Sequence, residues 1–541
     1  ASANGRVVMN FDEKVKLTST AKATLNGEEL VLSATGKTVA AEYKGLTYAT
    51  EYTFQLAAGS VSDLTDNVLN EAVNVTFTTM TKPTVEKALY DFIVPDDGNF
   101  KDALNAASTR ADKSKRYRIF VKQGSHIIPA NQNAMVTGSD GKSYPDPKTS
   151  FGAPNTSIIG EEMALTSVAN TMPNDLASNP DAGAGGQANP LEGIRTSGLL
   201  YMTSGATNTY FQDITLKTNT PDATGRNVIL VDGGNKTICK DVTLWAYQDT
   251  YVSDRSQSLY YFEGGVIRGR TDFICGSGDV FFNDVDIVMC EQGGYIVAPR
   301  DNVKYGYVFK DCTLKGEQDN VNGNYFLGRP WTEAAETYYI DCTMEAIPTA
   351  AGWTNMSAGG CTRFAEYNSV SASGTTVDLS GRVKELGNEN PHSFTPVLSA
   401  EEAAEIGNMS NMFGDWNPRE ATEQAPAPTN VVLHTGDNTL SWDDNQYALL
   451  WAICKDGKVV DFTIEPTYIV DDATAKWSVR AANEMGGLCD PVEATASEGV
   501  GIENIEQPVD DNAPMYNVAG QRVTKSMKGI IIQNGRKYVR K

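Results

Sequence analysis

The residues of this chain best suited to chemistry are acids. Asp272 opens the run Asp272-Phe-Ile-Cys-Gly276, an ionisable carboxylate among apolar neighbours in a strand-like segment. Tyr247-Gln-Asp-Thr-Tyr251 supplies a second acid, Asp249, beside the amide of Gln248, and Leu327-Gly-Arg-Pro-Trp331 adds Arg329 and the indole of Trp331. Two carboxylates, an amide donor, an arginine and an indole are the parts needed to attack an ester on a sugar without metal or histidine. The chain has 3 histidines, His126, His392 and His434, and none accompanies a serine or cysteine in a nucleophile-elbow pattern. Ser277, within Gly276-Ser-Gly-Asp279, lacks the full elbow and reads as a turn.

An acid pair works only if something brings its members together, and the chain carries a repeat that does so. Phe211-Gln-Asp-Ile-Thr-Leu, Cys239-Lys-Asp-Val-Thr-Leu, Phe262-Glu-Gly-Gly-Val-Ile, Phe282-Asn-Asp-Val-Asp-Ile, Phe309-Lys-Asp-Cys-Thr-Leu and Tyr339-Ile-Asp-Cys-Thr-Met share one template. Such a strand, with an aromatic or thiol anchor, a polar turn and alternating apolar residues, cannot bury its inner face alone, so copies must stack. Roughly 20 to 30 residues per strand-built rung predicts a right-handed parallel β-helix. Cys312 and Cys342 should then stack in neighbouring rungs, as structural thiols. Asp249 and Asp272 lie about one turn apart, so neighbouring strands would bring their backbones to ~4.8 Å. Like charges at that spacing push one carboxyl to stay protonated while the other stays ionised. Spacing alone still favours two solvated turn aspartates.

The flanks are predicted to be smaller all-β units. Residues 1–83 alternate over Glu51-Tyr-Thr-Phe-Gln-Leu-Ala57 and Ala72–Thr79 between Gly, Asn and Asp turns, a β-sandwich pattern that resembles bacterial Ig-like modules. Residues 84–421 hold the solenoid. Residues 422–498 resemble a fibronectin type III module, with Trp442 and Trp477 read as core rather than as sugar platforms. Residues 499–541 combine an acidic linker with a segment that looks like the C-terminal sorting or anchoring modules of secreted Bacteroidetes proteins. The stretch 170–195, rich in Asn, Asp, Gly and Ala, reads as a loop insertion.

Composition sets limits on partners. A chain of 541 residues is long enough for two to four domains. Its net charge of -23 and absence of long basic clusters argue against a nucleic-acid partner. No apolar stretch approaches the ~20 residues that span a bilayer. The chain opens on Ala1, so an export signal is expected to have been removed, and a secreted or surface protein is anticipated. The 8 cysteines include no CxxC pair, which disfavours zinc. Free buried thiols are the simpler reading, with a Cys454–Cys489 disulfide left open.

The segments Tyr247-Gln-Asp-Thr, Asp272-Phe-Ile-Cys-Gly and Leu327-Gly-Arg-Pro-Trp resemble, in order and approximate spacing, the signature blocks of pectin methylesterases, carbohydrate esterase family 8. The resemblance extends over about 88 to 416, through Val94-Pro-Asp-Asp-Gly-Asn-Phe followed by an Ala-rich helix and Ile119-Phe-Val-Lys-Gln-Gly, to Arg363-Phe-Ala-Glu-Tyr-Asn near the end. It implies that Asp272 is the nucleophile toward a galacturonate methyl ester and Asp249 the general acid and then base. It makes Gln248 the oxyanion donor, Arg329 the support of Asp272, and Trp331 part of the sugar site. It implies pectic polysaccharide and water as partners and no cofactor or metal, and a monomer is expected.

Departures fall on the substrate side. Where the family commonly has Gln-Ala-Val-Ala-Leu, this chain has Arg226-Asn-Val-Ile-Leu, so a glutamine of the oxyanion site is replaced by a cation. Gly-x-Tyr-x-Glu becomes Gly124-Ser-His-Ile-Ile, and a second tryptophan becomes Met356. Arg268, Arg270 and Arg300 lie near the proposed site in sequence, and Arg270 with Arg226 is assigned to substrate binding. The rival readings are a non-catalytic pectic-glycan-binding solenoid, an esterase or lyase on another uronate glycan, and a fatty acyl thioesterase.

Overall fold

The computed structural model describes residues 1–541 apart from 2, 4, 139–140, 171–197, 218–225, 227, 357–359, 389–390, 498–513, 518–519, 525, 534–535 and 541. The 170–195 insertion, except Asn170, and most of the acidic linker lie outside the described residues.

The repeat builds a parallel β-helix, as its period requires. A single 22-stranded parallel sheet runs from Phe92–Val94 to Val370–Ser371, with further pairings that join each rung to its neighbours. The anchor positions of the template coincide in register: Phe211 pairs Cys239, Cys239 pairs Phe262, Phe262 pairs Phe282, and Phe282 pairs Phe309, which pairs Tyr339. Their rings stack inside the coil, at 5.0 Å for Phe262–Phe282, 4.4 Å for Phe282–Phe309 and 4.5 Å for Phe309–Tyr339. These spacings follow the ~4.8 Å between strands, so identical anchors gain contact from simple repetition. Cys312 and Cys342 occupy adjacent rungs and interact with each other.

The conserved-looking acid of the template has a backbone task. Asp213, Asp241, Asp284, Asp311 and Asp341 all have φ between 49° and 56°, and Gly264 at the equivalent position has φ 63°. Each rung turns its corner through one left-handed residue, which only Gly, Asn and Asp adopt readily. That explains why the template tolerates glycine in one copy and aspartate in the others.

A helix, Phe100–Thr109, follows the first rung strand. Asn99 and Asp102 form a reciprocal capping box, and Phe100, Ala103, Leu104 and Ala107 are buried in the main core. The alanines let it lie close against the end of the coil, where an open edge would otherwise meet water.

The N-terminal strands pair antiparallel in small sheets, among them Glu28–Leu30, Ala23–Leu25, Glu51–Leu56 and Val73–Thr78 in that order. Phe54 and Leu56 are buried where the alternation points them inward. After three short helices, Ala400–Ile406, Met409–Phe413 and Pro418–Thr422, two four-stranded sheets enclose Trp442, Trp451 and Trp477. This unit packs on the coil: Phe462 meets the rings of Tyr90 and Phe120 edge-on at 4.8 and 4.9 Å. Met515–Asn517, Arg522–Val523, Gly529–Gln533 and Arg536–Arg540 form a last antiparallel sheet. All 8 cysteines are free and buried, so Cys454 and Cys489 are not bridged. No helix among the described residues is long and apolar enough to cross a membrane.

Candidate active site

Six parallel strands carry the site: β1 (Leu200–Met202), β2 (Leu230–Asp232), β3 (Tyr251–Glu263), β4 (Thr271–Asn283), β5 (Tyr295–Pro299) and β6 (Phe326–Gly328). Their register places Tyr201, Val231, Val252, Cys275 and Ala298 in one line across five rungs. The last four of these, with Val228, form a small apolar cluster against which Tyr201, Trp331 and Met356 pack. This cluster is the floor on which the polar groups stand.

Asp249 and Asp272 occupy matching corners of adjacent rungs. Gln248 bridges Thr271 in parallel register, and the Asp249 N–H donates to the Thr271 carbonyl at 3.2 Å. The acids are therefore the next pair along. Both are left-handed, with φ 55° and 47°, and both are 5 % exposed. Both have the left-handed φ of the template aspartates, and Asp272 lies within strand β4, in the strand-like setting expected for it. The turn aims each side chain outward while the backbone re-enters the sheet, and the β4–β5 ladder shifts register there, between Thr271 and Ile274.

The glycine that closes the Asp272 run has a separate reason. Gly276 has φ 113°, and a Cβ there would lie 2.0 Å from the Ser253 carbonyl oxygen of the rung beneath. Only glycine allows that approach. Ser277, read as a turn from sequence, instead lies inside strand β4 and is 8 % exposed. The second glycine, Gly278 at φ 94°, permits the backbone to continue as strand.

Arg329 grips Asp272 with both prongs, Nε to Oδ1 at 2.8 Å and Nη2 to Oδ2 at 2.6 Å. Its own position is set by the N–H of Arg329 donating to Val297 at 3.0 Å, and its guanidinium lies 3.9 Å over the ring of Tyr295. A bidentate, charge-assisted pair holds a carboxylate ionised and fixes its plane. Arg226, one rung before Gln248, sets Nε 3.1 Å from Oδ2 of Asp249. Each acid thus has a guanidinium of its own.

Gln248 is 3 % exposed, and its carboxamide oxygen finds no hydrogen-bond partner among the described residues. The Cys275 thiol faces Asp249 Oδ1 at 3.9 Å, and burial first, then the charges of Asp249 and Asp272, push it well above the ordinary thiol range. It is a neutral neighbour rather than a nucleophile.

A cavity of about 490 Å³ opens over these groups, lined by Arg226, Gln248, Asp249, Asp272, Arg300 and Trp331 among others. Of the residues singled out from sequence, Arg329, Arg268 and Arg270 do not line it. Arg270 donates to Gln292 O at 3.2 Å and Thr271 Oγ1 at 3.0 Å, and pairs Glu291 at 3.7 Å. Arg268 is likewise taken up, by two 2.8 Å bonds to Glu317. Asp254 also lines the cavity and went unnoticed in the sequence, where Val-Ser-Asp-Arg carries no motif. Its signal is register alone: it pairs Ser277 two positions beyond Cys275. Among the described residues no group of three or more His, Cys, Asp or Glu side chains is arranged to hold a metal.

Comparison with known proteins agrees with the motif reading. Residues 184–403 match the pectinesterase family model, and residues 1–79 match a bacterial Ig-like domain. The chain is 31 % identical over 177 residues to probable pectinesterase A of Aspergillus niger, covering 32 % of this chain and 49 % of that protein. It is 30 % identical to pectinesterase A of Dickeya dadantii, covering 34 % and 55 % respectively. The chain spans about half the length of the curated relatives it matches. Among solved structures, pectin methylesterase PemA from Erwinia chrysanthemi aligns over 61 % of this chain and 99 % of its own, with 21 % identity and TM-score 0.43. The pectin methylesterase from carrot aligns over 64 % and 99 %, with 20 % identity and TM-score 0.46. The resemblance to pectinesterases is borne out over residues 184–403, and the Ig-like reading over residues 1–79.

Proposed function

We propose that this chain is a pectinesterase-type carboxylic ester hydrolase that removes methyl groups from galacturonate esters of pectin and releases methanol. The observation that carries this reading is the pairing of two matched corner acids, one of them locked by Arg329, in a cavity with an unengaged buried amide.

In the proposed sequence the Asp272 carboxylate attacks the ester carbonyl carbon. Negative charge builds on the carbonyl oxygen, where the Gln248 amide donates an N–H, a contact worth ~3 kcal/mol. The intermediate collapses with cleavage of the C–OCH₃ bond, and protonated Asp249 gives its proton to the leaving oxygen, freeing methanol. An anhydride between Asp272 and the uronate remains. Asp249, now a carboxylate, takes a proton from water as the water oxygen attacks the uronoyl carbon. Asp272 leaves as carboxylate, and the galacturonic acid loses its proton to solvent. Trp331 offers its face to a sugar ring, and Arg226 must release Asp249 for that acid to carry a proton. Arg270 is assigned no contact with substrate.

The flanking units are read as accessory modules, with the division 1–83, 84–421, 422–498 and 499–541. The third is assigned as fibronectin type III-like and the last as a sorting or anchoring segment. A secreted or surface, monomeric protein fits the acidic composition. The test is methanol release from methyl-esterified homogalacturonan by the wild type and by Asp272→Asn. Equal release by both would sink the assignment.

A further inference from the structure

Charge is divided unevenly along the chain. Residues 512–541 hold 7 of its 45 lysines and arginines and none of its 68 aspartates and glutamates. That leaves 38 basic residues against 68 acids in the rest, a net charge of -30 where the whole carries -23. A body so charged is repelled by a polyanion, and the proposed reaction makes one, because each ester removed leaves a carboxylate on the polymer. Residues 512–541 are the part that such a polymer attracts.

These residues are built as a surface. Arg522–Val523, Met515–Asn517, Gly529–Gln533 and Arg536–Arg540 lie side by side in that order as one antiparallel sheet. Met515 and Ile531 are buried, whereas Tyr516, next along its strand and so on the opposite face, is 39 % exposed and pairs Arg522 in register. Arg522 and Lys528 are exposed, with no ion pair to the described residues. The unit holds no acid of its own to neutralise them. An arginine beside an exposed tyrosine offers a fork for a carboxylate and a ring for the apolar side of a sugar.

We propose that this C-terminal sheet docks on polyuronate and so holds the acidic body of the chain on a polymer that grows more anionic as its esters are removed. The inference rests on the esterase reading for the identity of the polymer, and it gives the anchoring role assigned to residues 499–541 a chemical target. Cations without acids suit a row of carboxylates, and the exposed ring suits the sugars that carry them.

The test measures binding of the full chain to unesterified polygalacturonate fixed on a neutral support, over a range of salt concentrations. Changing Arg522, Lys528, Arg536 and Lys537 together to glutamine should weaken binding by about tenfold or more at low salt and flatten its dependence on salt. Arg522→Lys with Arg536→Lys keeps the charge and should keep most of the binding. The kcat for methanol release from a short, soluble esterified oligomer should be the same in all three proteins, which separates docking from loss of fold. Equal affinity in wild type and the glutamine variant overturns the inference. So does tighter binding of wild type to vesicles of phosphatidylglycerol and phosphatidylcholine than to polygalacturonate, which would assign the sheet to a membrane surface. If wild type releases no methanol from any esterified substrate, the esterase reading falls, and the binding comparison still decides the role of the sheet.

Discussion

The Nε of Arg226 stands 3.1 Å from Oδ2 of Asp249, and its side chain is 38 % exposed where that of the acid is 7 % exposed. The contact joins the acid proposed as proton carrier to a cation that lines the cavity. Arg329, in contrast, is 21 % exposed and holds Asp272 through two bonds. Asp272 is clamped by a two-pronged guanidinium, whereas Asp249 meets Arg226 through Nε and the Cys275 thiol at 3.9 Å, a difference that agrees with the proposed fixed nucleophile and proton carrier.

In the proposed mechanism protonated Asp249 gives the leaving methanol its proton, and the guanidinium 3.1 Å away opposes that protonation. Arg226→Gln should therefore move the alkaline limb of the kcat/KM profile to higher pH. Superimposable profiles for the two proteins would remove Arg226 from the proton inventory.

Arg329→Ala should lower kcat by about 100-fold or more, because Asp272 would lose both bonds that aim it. Arg329→Lys restores the charge without the fork and should recover only part of that loss. Recovery to wild-type kcat would show that charge alone suffices.

Far from the cavity, Glu366 and Arg382 form a buried pair at 2.5 Å, with side chains 0 % and 1 % exposed. Arg382 also donates to the carbonyls of Thr349 and Ala350 at 3.0 Å each, tying later chain to the last rungs. Glu366→Gln leaves a buried guanidinium without its counter-charge and should destabilise the coil by about 3–5 kcal/mol. Chemical denaturation measures it, and a loss under about 1 kcal/mol would show that the pair is dispensable.

Asp232 is fully buried, and that burial pushes its carboxyl from the ordinary 3.8 up to about 7, against hydrogen bonds from Thr237 and Gly234 that lower it. Below about pH 4 the group is protonated both folded and unfolded. As pH rises the unfolded chain releases the proton first, so stability should decline from about pH 4 and level off above about pH 7. Asp232→Asn should flatten that part of the curve. An identical slope in the variant would place the titration elsewhere.

The coil was legible because it is written in short-range pattern, an anchor, a corner residue and a fixed period, whereas the acid pair stood out only through the family resemblance, since spacing alone favoured two solvated turn aspartates. Asp249 and Asp272 share the left-handed conformation of the template acids, which the structure reveals and the sequence reading did not assign. Lateral neighbours were less legible. Arg268, Arg270 and Arg300 crowd the same sequence neighbourhood, yet their fates depend on which acid the next rung presents. Glu317 meets Arg268 across a 49-residue separation, and Asp254 reaches the cavity only through register. Ser277 looked like a turn because glycines flank it, whereas the rung below demands those glycines and the strand runs through.

Six of the buried thiols, Cys239, Cys275, Cys290, Cys312, Cys342 and Cys361, are distributed along the coil, and Cys454 and Cys489 lie in the C-terminal unit. Burial raises Cys239, Cys275 and Cys312 well above the ordinary range and Cys290 to about 11, so the folded chain is a poor target for alkylation at neutral pH. Each alkylation event therefore dates the opening of a particular level. Mapping the order of modification in mild denaturant would turn these side chains into a record of where the solenoid frays and how far along its axis the fraying spreads before the rungs of Asp249 and Asp272 let go.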